Sequence, residues 1–227
     1  GLWAGLVIMS WLLAEFFTRR RRMALPSIVL LLTFIISVFS LTFILANAAF
    51  NDGLQITSLF DGTASTSALL ASVVTAAAAA LHYWRFKVPI TIAAGVAALV
   101  CAMQMLLYLT APSFTTRWQN ELILMFGLAA FALAMRYDLA DPQRLSRRTD
   151  IAFWLHLLAA PLIVHPLVSG MMDGRGLPDN LAAGGVLGIF FALGIVSVLI
   201  DRRALLVSGL SYAGFAFASL LNQTGLS

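Results

Sequence analysis

LPSIVLLLTFIISVFSLTFILANAAF, residues 25–50, contains no Asp, Glu, Lys or Arg. A helix crossing the hydrocarbon of a bilayer needs about 20 consecutive apolar residues, and this stretch supplies them in one run. It reads as a membrane span, and that reading decides the fold class. In hydrocarbon every backbone N–H and C=O must be bonded internally, which a helix does within its own segment. The other solution, a closed barrel, would show alternating segments of ~10 residues, and none are visible.

The rest of the chain agrees. Of its 227 residues, 61% are hydrophobic and 11% charged, against roughly 25% charged in an average soluble domain. Eight apolar segments can be drawn, at 1–17, 25–50, 67–84, 89–110, 121–136, 151–172, 181–200 and 204–222. The expected fold is therefore all-α: a polytopic transmembrane helix bundle of eight spans arranged as four helical hairpins, one transmembrane domain over 1–227.

The basic residues orient it. Arg19–Arg22, Arg85, Lys87, Arg136, Arg144, Arg147, Arg148, Arg202 and Arg203 follow the odd-numbered segments, and only Arg117 and Arg175 fall in the other loops. Loops rich in Lys and Arg stay on the cytoplasmic side. Loops 18–24, 85–88, 136–150 and 201–203 are thus expected in the cytoplasm of a bacterial inner membrane, with Gly1 and Ser227 on the periplasmic side. The formal net charge of +4 is a topology signal, and nucleic acid is not an expected partner. The chain opens on Gly1 already inside an apolar run, so a further upstream span is expected.

The basic turns centre near 22, 87, 143 and 202, a spacing of about 60 residues. Around three of them the chain reads FFTRRRRMALPSI, HYWRFKVPITI and IDRRALLVSG. Pro26 and Pro89 fall early in the exiting helices, where a missing N–H costs little. A fourfold hairpin repeat would read this way, as would any set of short-looped hairpins.

LAEFFTRRRRMALPSIVLLLTF (13–34) and SRRTDIAFWLHLLAAPLIVHPL (146–167) resemble a group of uncharacterised alphaproteobacterial multi-pass membrane proteins. The resemblance covers most of the chain. It implies a longer N-terminus, with a short cytoplasmic helical segment and one more span. It implies no active site.

Polar residues inside a membrane helix are costly and tend to face the bundle interior or a watery cavity. On the second segment Ser37, Ser40 and Asn47 fall within about 40° of Thr33 at 100° per residue. Ser208, Tyr212, Ser219 and Asn222 form a similar stripe on the eighth, and each stripe ends in asparagine near the outer surface. Gln104 and Tyr108, with Cys101 one turn earlier, make a third polar patch. These rows line a polar pathway, or they bond helix to helix without one.

FWLHLLAAPLIVHP, 153–166, carries two histidines and two prolines. His156 and His165 lie nine residues apart, about 900° of turn, so they point to opposite faces of a straight helix. Pro161 and Pro166 each remove a backbone hydrogen bond and free the carbonyls near 157 and 162. A kinked or broken helix is expected, with the imidazoles near unpaired backbone or on a proton or substrate path. His82, beside Tyr83 and Trp84, reads as part of an interfacial aromatic belt. Glu15 and Arg19 are spaced i, i+4 for a local ion pair. Asp150 is placed to favour a helix start, and the small-residue pairs Gly184/Gly188 and Ala76/Ala80 favour close helix approach.

No cofactor or metal is expected. Haem between His82 and His156 has no supporting histidines. Met103 points away from Cys101 and Met105, against a Cu(I) site. No phosphate-binding loop, HExxH, GxSxG or deep aspartate pair is present, and the two glutamates, Glu15 and Glu121, lie near membrane surfaces. The reading leans away from an enzyme. It favours small-solute or proton transport through the helical bundle, with His165 and Asn47 on the path. The alternative is an accessory or sensory membrane subunit acting through protein partners. Besides the lipid bilayer, a membrane-protein partner or a homo-oligomer would be its company.

Overall fold

The computed structural model describes residues 1–21, 23–50, 62–141, 143 and 146–172, with the single positions 188, 191 and 195. Among the described residues the chain is helical, with no strand. α1 (Leu2–Ala14) continues into a π-helical turn (Glu15–Arg20), followed by α2 (Ala24–Phe50), α3 (Gly62–Phe86) and α4 (Ile90–Thr110). A short α5 (Pro112–Arg117), α6 (Gln119–Leu139) and α7 (Arg147–Met172) complete it. Among the described residues six helices are long and apolar enough to cross a bilayer: Leu2–Arg20, Ala24–Phe50, Ser65–Phe86, Ile90–Thr110, Gln119–Leu139 and Arg147–Leu167. They coincide with the first six apolar segments of the sequence. Segments 181–200 and 204–222 lie outside the described residues apart from three single positions, and so do Ser208, Tyr212, Ser219 and Asn222.

The chain forms two compact units, Gly1–Arg117 and Trp118–Ser227. In the first, α1 packs on α2, α2 on α3 and α3 on α4. α3 has a helix neighbour on two sides, and its buried positions explain how. They are Ser65, Ser67, Ala68, Ala71, Ser72, Thr75, Ala79 and His82, with no large apolar side chain among them. Small residues let helix backbones approach closely. Ala79 illustrates this: a Cβ placed on Gly95 of α4 would lie 3.5 Å from its own Cβ. The large apolar side chains turn outward instead, as Leu70, Val73 and Leu81 do on α3, which suits a helix surrounded by lipid tails. The α3–α4 connection is tight because Lys87 adopts the left-handed conformation (φ 53°). Its N–H bonds the Tyr83 carbonyl at 2.8 Å. A residue other than glycine there carries roughly 1–2 kcal/mol of backbone strain.

In the second unit α6 and α7 form a closely packed pair. The turn between them is tied by one carboxylate oxygen. Asp141 Oδ2 accepts from the Ser146 N–H (2.8 Å), the Ser146 hydroxyl (2.6 Å) and the Thr149 hydroxyl (3.0 Å). Ser146 Oγ in turn accepts the Arg148 N–H at 3.2 Å, the geometry of a serine N-cap. Asp150 does lie in the first turn of α7, as its sequence position suggested.

α7 runs without interruption through Pro161 and Pro166, so of the kinked or broken helix expected from the two prolines, the break does not occur. A proline ring holds φ near −65°, already a helical value, although it removes one bond and crowds the carbonyl four residues back. Here α6 also lies against the affected turn. A Cβ built on Gly127 would sit 2.9 Å from the carbonyl carbon of Leu162 and 3.0 Å from the Ile163 nitrogen. Leu162 carries the carbonyl that would have bonded an N–H at Pro166. Those neighbours are backbone and cannot rotate away. Gly127→Ala must therefore push α6 from α7, and a loss of about 1–3 kcal/mol of stability is expected. A thermal melt of the detergent-solubilised protein checks it. Gly95→Ala, which meets only ordinary contact at 3.5 Å, should melt like the wild type.

Candidate functional site

Every turn or so, the buried face of α3 replaces alanine by a polar side chain. Ser65, Ser67, Ser72, Thr75 and His82 are all buried. His82 closes the row at the α3–α4 turn, and unlike its neighbour Trp84 it is buried among the helices. Its side chain is 1% exposed, whereas Trp84, two residues on, is 75% exposed. The 100° step of the helix separates them: His82 turns inward and Trp84 outward.

Four helices meet at this imidazole. Its ring lies 5.9 Å from that of Trp11 (α1), 5.5 Å from Phe34 (α2) and 4.6 Å from Phe86 (α3). Trp11 also packs on Phe34 at 5.4 Å and on Phe86 at 5.1 Å. From α4, Thr91 Oγ1 stands 3.4 Å from His82 Nδ1, a long contact. The imidazole is thus enclosed by aromatic rings on its apolar sides and meets one hydroxyl.

One turn further, Arg85 reaches back to α1. Its Nη2 lies 2.7 Å from Glu15 Oε1, while Arg19 Nη1 is 3.4 Å from Glu15 Oε2. The i, i+4 pair anticipated from spacing is present, but it is the longer of the two. Glu15 opens the π-helical turn, marked by the Arg21 N–H bonding the Phe16 carbonyl five residues back at 3.1 Å. Such bulges insert an extra residue into a helix and recur at functional positions. The turn borders an open groove of about 550 Å³ lined by Leu12, Glu15, Phe16, Arg19 and Arg20.

The other polar rows divide. On α2, Ser37 and Asn47 are buried, while Thr33 and Ser40 are only half-buried. On α4, Gln104 and Tyr108 are half-buried and Cys101 is exposed. The pairings 82 with 91 and 79 with 95 set the α3–α4 register and place Gln104 level with about residue 70, beside the Ser67–Ser72 stretch. Among the described residues of this unit five side-chain atoms are buried and bond to no protein group: Thr18 Oγ1 in the π-helical turn, and Ser37 Oγ, Ser72 Oγ, Thr75 Oγ1 and Gln104 Oε1 on α2, α3 and α4. Serine and threonine in a helix normally return their hydroxyl to a carbonyl one turn back. Ser10 does so, bonding the Leu6 carbonyl at 2.6 Å.

The second unit holds a separate polar pair. His156 is fully buried, and its Nε2 lies 2.8 Å from Asp138 Oδ2. One hydrogen bond thus joins the imidazole to the carboxylate across the two helices. Phe131 covers the imidazole edge-on at 5.3 Å. His165 lies on the exposed face of α7, opposite His156, as nine residues of helix require. The two histidines face different surroundings and do not form one site. Among the described residues no group of three His, Cys, Asp or Glu is arranged to hold a metal.

Sequence reasoning missed Asp138, Arg85 as the partner of Glu15, and Thr91. Asp138 falls inside the stretch assigned to loop 136–150, because the acid and its arginine neighbours hide the last turn of α6. Thr91 had a usable signal: it and His82 are nearly equidistant from the turn at Lys87. Compared with family models, curated proteins and solved structures, the chain matches none of them.

The Asp138–His156 pair yields a stability prediction. Asp138→Ala strips a buried imidazole nitrogen of its partner, and a loss of about 1–3 kcal/mol is expected. Asp138→Asn keeps an acceptor oxygen and should retain most of it. Melting of the two variants side by side checks the order.

Proposed function

We propose that the chain forms a permeation path for protons or a small polar solute, running along the buried face of α3. The observation that carries this reading is the set of four buried polar atoms, on α2, α3 and α4, that no protein group satisfies. Polar residues that act as helix glue are bonded across the interface. An unbonded buried hydroxyl or amide oxygen costs about 1–3 kcal/mol instead. Keeping several of them beside one small-residue face makes sense where a polar guest or water passes and supplies the missing bonds. Asn47 stays on this path as its outer end. His165, on the exposed face of α7, is not assigned to it.

With the orientation implied by the arginine-rich loops, Ser65 and Ser67 lie toward the periplasm and His82 toward the cytoplasm of a bacterial inner membrane. His82 and the rings of Trp11, Phe34 and Phe86 then form the narrow inner closure. The Glu15–Arg85 ion pair and the groove beside the π-turn form the cytoplasmic mouth. An imidazole has two ring nitrogens and can pass a proton from one to the other, which makes protons the favoured cargo. We further propose that the chain belongs with the alphaproteobacterial multi-pass proteins it resembles.

Proteoliposomes loaded with a pH-sensitive dye, energised by a potassium gradient and valinomycin, test the reading. Acidification faster than in empty vesicles is expected. It should fall by about tenfold, the effect of roughly 1.4 kcal/mol on a barrier, in Thr75→Val and in His82→Phe, with melting unchanged in Thr75→Val. Vesicles as tight as protein-free ones, to protons and in osmotic swelling with small neutral solutes alike, would sink it.

A further inference from the structure

We infer that the second unit binds a phosphate-bearing anion at the loop end of the α6–α7 pair, its source being the headgroup of an anionic phospholipid. A cavity of about 460 Å³ lies there, lined by Leu133, Arg136, Tyr137 and Ala140 from the α6 side and Arg148 from α7. That is within the usual volume of a small-ligand site, about 300–1,000 Å³. Two guanidiniums from different helices thus border one space, with a phenol between them in sequence.

Among the described residues neither guanidinium has an acidic partner. In the first unit Arg19 and Arg85 both pair with Glu15. No described carboxylate pairs with Arg136 or Arg148. The nearby acids are committed elsewhere: Asp138 to His156, and Asp141 to Ser146 and Thr149. Asp150 is exposed and bridges to neither arginine. Position adds to the excess. Arg147 and Arg148 occupy the first turn of α7, the positive end of a helix dipole, where acids are favoured and cations are not. An anion in the cavity offsets both arginines and the helix terminus at once. Arginine forks match the oxygens of phosphate in two-point bonds, and the Tyr137 hydroxyl can add a third donor.

The walls favour a lipid over free phosphate. Leu133 and Ala140 give the cavity an apolar side, and the neighbouring Leu139 is 73% exposed. A soluble anion has no use for these, whereas the glycerol and upper acyl chain of a phospholipid do. Basic pockets beside membrane helices hold anionic headgroups in this manner.

The experiment uses the full chain in nanodiscs of equimolar phosphatidylcholine and phosphatidylglycerol. After extraction into neutral detergent, retained lipid is weighed by native mass spectrometry. Selective retention of phosphatidylglycerol is expected. It should drop roughly fivefold for each arginine removed in Arg136→Gln and Arg148→Gln. Arg147→Gln, which alters the same loop charge outside the cavity, should leave it unchanged. Tyr137→Phe, which keeps the ring, should cause a smaller drop and serves if the arginine variants do not fold. If lipid selectivity is absent but inorganic phosphate raises the melting temperature of the wild type and not of the arginine variants, the anion site stands and its source is soluble. Equal lipid retention by all variants with no response to phosphate overturns the proposal, as does an Arg147→Gln loss as large as the others.

Discussion

A helix that must touch neighbours on two sides inside a bilayer cannot rely on burying large apolar side chains, because lipid tails already offer them an equivalent solvent. Close backbone approach, and the dispersion contacts it allows, is what remains. α3 meets this constraint with a face of alanine, serine and threonine. The rest of the first unit depends on it. α2 and α4 lie close against α3, α1 packs on α2 and reaches α3 at one end, and the one bulky side chain among the described buried residues of α3, His82, becomes the point where all four helices converge. The same small face carries the polar atoms on which the proposed path depends, so the packing solution and the candidate pathway are one feature.

The ring cluster around His82 and the Glu15–Arg85 ion pair occupy the same end of the unit. Trp11 and Glu15 lie one turn apart, as do His82 and Arg85, so α1 and α3 are joined twice: by aromatic contact deeper in and by charge nearer the loops. The π-helical turn starts at Glu15. Its extra residue shifts the helical phase downstream, so the basic run after Arg19 is turned relative to a regular helix.

The second unit solves the same problem with different parts. Gly127 removes the side chain that would separate α6 from α7, and does so beside the turn where Pro166 has no N–H to give. Asp141 gathers the loop, and Asp138 is hydrogen-bonded to His156. With both acids engaged inside the hairpin, Arg136 and Arg148 are left without an acidic partner among the described residues, around an open cavity.

The sequence by itself determined that the described chain is all-helical, where its six apolar helices lie, and that His156 and His165 point opposite ways. These depend on properties each segment carries alone: length, hydropathy and 100° per residue. It also contained the Glu15–Arg19 pair, whose members are one turn apart. Only the tertiary structure decided that His82 is buried, that Glu15 pairs more closely with Arg85, that Asp138 serves His156, and that two prolines leave α7 unbroken. Those outcomes depend on the rotation and register of one helix against another. Register in turn rests on backbone approaches at positions such as Ala79 and Gly127, set by where a side chain is small or missing, and local hydropathy carries almost no record of that.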